Sequence, residues 1–226
     1  MTGHRRHSAE KESHADSMGT SRTEGARLYL VTSPLGDAGA IANDLADALN
    51  FTDIAAVLVR FADADDATVL AHIKTLRILV QSNGAALLLD GHSELVARSE
   101  ADGAHLMGAD QLKAATAALK PKYIAGCGGL TERHDAMAAG ESGADYVMFG
   151  EPNDGHRPSF DAVLERVAWW AEIFQVPCVG YAESVDEVAA LATAGTDFVA
   201  IGETLWRDTR SLKAVVERLT AVEAVP

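Results

Sequence analysis

Arg60 sits inside an apolar run, Ala-Ala-Val-Leu-Val-Arg-Phe. A guanidinium placed there is costly to bury unless it is paired. It therefore either clamps an anionic substrate or ion-pairs with a carboxylate, Asp90 or Glu151. Arg60 is the candidate for both substrate binding and catalysis. Asp90 ends a second apolar run, Ala86–Asp90, and Asp110 follows a third. Two such carboxylates offer the hard oxygen ligands that Mg²⁺ takes while keeping several waters. The competing uses are a turn at Asp90 and a helix first turn at Asp110. His105 alternates with apolar neighbours, so it is either a catalytic proton carrier or a satisfied core imidazole. Cys127 precedes two glycines with no cation obviously beside it, which reads as an inert buried thiol. Glu151, Glu183 and Glu203 each follow an apolar run and are candidate substrate contacts.

These residues share a location if the runs before them are strands. Eight runs are short and apolar: Leu28–Thr32, Ala55–Phe61, Ala86–Asp90, Ala104–Met107, Tyr123–Cys127, Tyr146–Phe149, Cys178–Tyr181 and Phe198–Ile201. Segments with helical spacing follow them: Asp37–Asn50, Asp65–Asn83, Ser93–Glu100, Ala109–Leu119, Thr131–Ser142, Ser159–Phe174, Ser184–Ala194 and Thr209–Ala221. Regular alternation predicts a parallel sheet, and eight units in this length predict closure into a single (β/α)₈ barrel, a TIM barrel. Ligands of such barrels lie at the C-terminal ends of the strands, where every candidate above falls. Three turns, at Asp102-Gly103, Gly143-Ala144-Asp145 and Gly195-Thr196-Asp197, lead into strands at the opposite end. Glycine there suits a left-handed helix stop, and the turns read as structural.

Of the 226 residues, 48% are apolar and 23% charged, enough for a real core. The formal net charge of −14 disfavours nucleic acid and anionic membrane as partners and points to a small-molecule substrate. No apolar run is long enough to span a bilayer, no secretory h-region is visible, and the two cysteines need no disulfide, so a cytoplasmic location is expected. Residues 1–25 are polar and rich in His, Ser and Glu and predict a disordered tail, with His4, His7 and His14 solvated; residues 26–226 form the barrel domain. Trp169, Trp170 and Phe174 serve either as packing of a helix on the barrel or as the face of a homodimer.

Several strands resemble those of the thiamine-phosphate synthase family, which includes thiazole tautomerase-like paralogues. The resembling stretches are Leu28-Tyr29-Leu30-Val31-Thr32, Ala101-Asp102-Gly103-Ala104-His105-Leu106 with Asp110 beyond it, Gly143 to Gly150, and Val176-Pro177-Cys178-Val179. The likeness covers about residues 27 to 222. It implies a transferase of thiamine biosynthesis that couples hydroxymethylpyrimidine diphosphate to thiazole phosphate with the help of Mg²⁺. It assigns Arg60 to the diphosphate, and Asp90 and Asp110 to the metal. The sequence also departs from the family. The strand-two Gln-x-Arg-x-Lys reads Leu58-Val59-Arg60-Phe61-Ala62, and the strand-three Asn is Leu89. The Thr-x-Thr-Lys loop is replaced by Glu151 to His156, and Glu183 and Glu203 stand in the loops expected to hold phosphate. Carboxylates close to a phosphate would repel it by about a kcal/mol or more. The losses predict weak or absent synthase chemistry. Two other readings follow from them: an enzyme for an unphosphorylated thiazole or pyrimidine, and a non-catalytic, regulatory barrel.

Overall fold

The computed structural model describes residues 25–153 and 155–223. The tail expected over residues 1–25, with its three histidines, lies outside the described residues apart from Gly25, as does Asp154.

Eight strands alternate with helices, in agreement with the expected (β/α)₈ barrel. The strands are β1 (Arg27–Val31), β2 (Ile54–Val59), β3 (Ala86–Asp90), β4 (Gly103–Met107), β5 (Ile124–Gly128), β6 (Tyr146–Phe149), β7 (Cys178–Ala182) and β8 (Phe198–Ile201). They pair in sequence order, all parallel, and β8 pairs back onto β1 to close the ring. The helices are α1 (Gly39–Phe51), α2 (Asp66–Ser82), α3 (Val96–Ser99), α4 (Ala109–Leu119), α5 (Arg133–Glu141), α6 (Phe160–Ile173), α7 (Val185–Thr193), α8 (Glu203–Trp206) and α9 (Thr209–Glu223). Local signals explain several starts. Asp65 accepts from the Thr68 amide at 2.8 Å ahead of α2, and Ser184 accepts from the Glu187 amide at 3.3 Å ahead of α7. The segment expected as a helix over Ser93–Glu100 is a 3₁₀ turn at Ser93–Leu95 followed by the single turn of α3. The four-residue α8 has too short a periodic pattern to be read from sequence.

Strand parity sorts the side chains into two cores. Leu28, Leu30, Val57, Val59, Leu87, Leu89, Ala104 and Leu106 face the helices and pack with residues such as Leu45, Ile73 and Val163. Tyr29, Val31, Leu58, Leu88, Tyr146 and Met148 fill the barrel interior. Continued along β2, β3 and β4, the interior parity includes positions 60, 90 and 105. Gly126 has that parity too, and a Cβ there would lie 2.0 Å from the Tyr146 ring. The tyrosine ring occupies the space a side chain on β5 would fill.

The three turns at the barrel's N-terminal end are latches. Asp102 accepts from the Leu87 amide at 2.8 Å, Asp145 from Ala125 at 2.7 Å, and Asp197 from Cys178 at 2.8 Å. Each carboxylate ties the entry of one strand to the strand before it. Gly143 and Gly195 take the left-handed conformation expected of a helix stop, with φ of 88° and 90°. Gly103 does not: it lies within β4, and Glu100 (φ 59°) ends α3 instead. Gly103 is needed for a different reason, since a Cβ would sit 2.2 Å from the Ile124 carbonyl oxygen. Asp197→Ala is expected to cost about 1–3 kcal/mol, because it removes the carboxylate that accepts from the Cys178 amide. Urea unfolding checks this; a change smaller than about 0.5 kcal/mol would show that the latch is dispensable.

Trp170 is fully buried, stacks on Phe174 at 4.0 Å between ring centroids and donates its indole N–H to the Val176 carbonyl at 2.7 Å. It belongs to this chain's own core. Trp169 lies under the Arg133 guanidinium at 4.8 Å. At the other end of the fold, Trp206 of α8 donates to the Val31 carbonyl at 2.9 Å and fastens α8 over β1.

Candidate active site

At the C-terminal mouth, Arg60 stands between two carboxylates. Its Nε donates to Asp90 Oδ2 at 3.1 Å and its Nη2 to Glu151 Oε2 at 3.0 Å. Both ion-pair partners anticipated for it are present at once. The other oxygen of Glu151 meets His105 Nε2 at 3.0 Å and accepts from the Gly129 amide at 3.0 Å. His105 Nδ1 lies 2.9 Å from the Tyr146 hydroxyl, which lies 2.8 Å from the Tyr29 hydroxyl. One polar chain thus descends from the mouth into the barrel: Asp90, Arg60, Glu151, His105, Tyr146, Tyr29. Its upper members are partly open to solvent, with Arg60 and Asp90 side chains 19% and 26% exposed; those of Glu151 and His105 are 2% and 0%.

The backbone makes room for this chain. Gly150 ends β6 in the left-handed region (φ 87°) and turns Glu151 inward. Gly128 lies below it, where a Cβ would be 1.5 Å from Glu151 Oε1 and 2.5 Å from His105 Nε2. Burial alone would lower the His105 pKa, but the Glu151 carboxylate overrides it and holds the imidazole above its ordinary value of 6.5. Burial alone would raise Glu151; His105 and Arg60 instead hold it below its ordinary 4.5. Both shifts favour the charged pair. Burial pushes Tyr29 and Tyr146 well above the usual phenol range, so both stay neutral hydroxyls.

The other expected site residues are distributed differently. His105 is enclosed, and its ring nitrogens engage Glu151 and Tyr146. Asp110 is exposed in the first turn of α4, five residues beyond the strand position that pairs with Asp90. Glu183 is half-exposed and pairs with Arg157 at 3.2 Å. Glu203 accepts from the Ser33 amide at 2.8 Å and pairs with Arg207 at 3.2 Å. The structure therefore gathers Arg60, Asp90, His105 and Glu151 into one cluster, and gives Glu183 and Glu203 arginines of their own. Cys127 is buried, faces away from the interior, and burial pushes its thiol up to about 12, as suits an inert residue.

Two participants escaped the sequence reading, Tyr29 and Tyr146. The signal for them was a hydroxyl in an otherwise apolar strand, which must find a buried partner. Arg157 escaped as a framework residue. It donates to the carbonyls of Gly150 and Tyr181 at 3.0 and 2.8 Å and pairs with Glu187, fixing the ends of β6 and β7.

Beside the cluster lies a cavity of about 280 Å³, bordered by Leu130, Met148, Glu151, Asn153, His156 and Arg157 among others. A small, mixed-polarity pocket with an arginine–carboxylate cluster at its edge is the usual place for a small ligand in this fold. Asp90 at the end of β3 and Asp110 in the first turn of α4 are carboxylates, the donor type that Mg²⁺ takes. Among the described residues no group of three or more His, Cys, Asp or Glu forms an all-protein metal cage.

Fold and site define a (β/α)₈ barrel whose mouth carries an ordered cation between acids. Residues 28–205 match the family model for thiamine monophosphate synthase, and the chain belongs to that family. It is 39% identical over 184 residues to a thiamine-phosphate synthase of Rhodospirillum centenum, covering 80% of this chain and 89% of that one. It is 33% identical over 205 residues to one of Hyphomonas neptunium, covering 87% and 93%. The solved thiamine phosphate pyrophosphorylase of Pyrococcus furiosus has the same fold, with a TM-score of 0.72 at 20% identity over 87% of this chain and 96% of that one.

Proposed function

We propose that this chain is a thiamine-phosphate synthase that joins hydroxymethylpyrimidine diphosphate to thiazole phosphate, acting as a small-molecule enzyme in the cytoplasm. The observation that carries the reading is the family match along the barrel together with Arg60 and Asp90 paired at the mouth. The bond from the hydroxymethyl carbon to the diphosphate breaks, and the pyrimidine cation so formed is attacked by the thiazole nitrogen, so negative charge grows on the leaving group. Arg60 binds and orients that group, and its fixed positive charge gains most in the transition state. Asp90 and Asp110 would hold Mg²⁺, which when bound shields the diphosphate charge. His105 reaches the ligand only through Glu151, so it supports Arg60 and transfers no proton to substrate.

The test is product formation by purified protein with both substrates and Mg²⁺, beside Arg60→Ala. The wild type is expected to form thiamine phosphate, and the variant to lose about a hundredfold in kcat/KM. Absence of product from the wild type would sink the reading.

A second reading keeps the reaction class and changes the acceptor to an unphosphorylated thiazole. It is favoured by the acids that follow β7 and β8: Glu187 of α7 accepts from the Glu183 amide at 2.8 Å, and Glu203 at the start of α8 takes the Ser33 amide. Carboxylates already occupy donors that a phosphate would need. The same assay with the thiazole alcohol separates the two readings by which acceptor gives the higher kcat/KM.

A further inference from the structure

We propose that Glu151 is a positioning residue of this site: anchored in the barrel wall by His105 and the Gly129 amide, it holds the Arg60 guanidinium in a fixed plane for the leaving group. The inference rests on the synthase reading for its readout. Glu151 has one oxygen for each task. Oε1 is held from below by His105 Nε2 and the Gly129 amide, both at 3.0 Å; Oε2 receives Arg60 Nη2 at 3.0 Å. At 2% side-chain exposure the carboxylate has little surface with which to meet a ligand directly.

A guanidinium held at one nitrogen can still swing about that contact. Asp90 holds Nε and Glu151 holds Nη2, so two contacts from β3 and from the loop after β6 define its plane. Nη1 makes no hydrogen bond among the described residues and remains for an anion. Fixing this cation matters here because the second position after it is Ala62, and the arginine of the loop beyond Glu151, Arg157, is engaged by Glu183, Glu187 and the carbonyls of Gly150 and Tyr181. The orienting carboxylate is also built in at cost to the backbone, since it needs a glycine at 128 and a left-handed glycine at 150.

The experiment compares wild type, Glu151→Gln, Glu151→Asp, Arg60→Ala and the Arg60→Ala/Glu151→Gln double variant by steady-state kinetics, with thermal unfolding to establish that each is folded. A glutamine amide can keep one anchor but cannot both accept from His105 and Gly129 and accept from Arg60. Glu151→Gln is expected to lose roughly tenfold or more in kcat, with KM for the pyrimidine diphosphate little changed, because orientation counts most in the transition state. Glu151→Asp keeps the charge but is one methylene too short to span both partners, and is expected to fall between. Once Arg60 is absent, Glu151→Gln is expected to change nothing further. Unchanged kcat in a folded Glu151→Gln would overturn the inference. So would a further loss of the same size in the double variant. If Glu151→Gln does not fold, wild-type kcat in Glu151→Asp overturns it. A wild type without product fails the parent reading and removes this role with it, whereas an active wild type with indifferent variants fails the inference alone.

Discussion

Gly128→Ala is expected to destabilise the protein by about 3–5 kcal/mol and to remove the site's order with it. The added methyl would stand 1.5 Å from Glu151 Oε1 and 2.5 Å from His105 Nε2. Neither neighbour is the loose end of a surface side chain, since both are buried and each bonds the other. Overpacking a tight core costs about 1–3 kcal/mol by itself. Here the displaced atoms form a buried ion pair, and separating one typically costs about 3–5 kcal/mol. Gly36→Ala is the natural control: nothing lies within 4 Å of its Cβ position, and its backbone is not left-handed. Equilibrium urea unfolding of both variants decides the matter. A Gly128→Ala protein within about 1 kcal/mol of wild type would mean that Glu151 has another place to go.

The second large effect is His105→Ala, expected to cost about 3–5 kcal/mol near pH 6 and less at higher pH. Removing the imidazole leaves a nearly unexposed carboxylate with Arg60 and one amide as its remaining partners. The pH dependence follows from the direction of each shift. His105 is raised above 6.5 in the folded protein, so its charged form contributes stability that is fully present below pH 6.5 and is lost as pH rises through the folded value. Glu151 is lowered below 4.5, so its contribution is present above pH 4.5 and is lost as pH falls through its folded value. The pair therefore contributes most between pH 4.5 and 6.5. Stability curves for wild type and variant, measured by urea unfolding from pH 5.5 to 9, should converge as pH rises. A constant difference across that range would show a neutral imidazole throughout and contradict the charged pair.

How much of this was legible in the chain follows from how local each cause is. Alternation of apolar runs and helical spacing determined the eight βα units, and closure followed from their number; the structure has the same order of elements. The period of two along a strand also determined which candidates share the barrel interior. Arg60, Asp90 and His105 lie in step with inward-facing Leu58, Leu88 and Tyr146. Even the demand for a partner at Arg60 was readable, because an arginine in an apolar run needs one. Distance across the ring was not readable. Arg60 meets Glu151 over 91 residues and His105 meets it over 46, contacts that depend on barrel closure and on the turn at Gly150. The same dependence separated the three glutamates. Glu151, Glu183 and Glu203 look alike in sequence, each acidic and each just beyond a strand. Tertiary structure put one beneath the mouth between His105 and Arg60, and set the other two against Arg157 and Arg207. The sequence by itself determined the barrel and the end of it at which the candidate residues lie; only the closed fold decided which charges meet, because a strand's direction is local and its neighbours across the barrel are not.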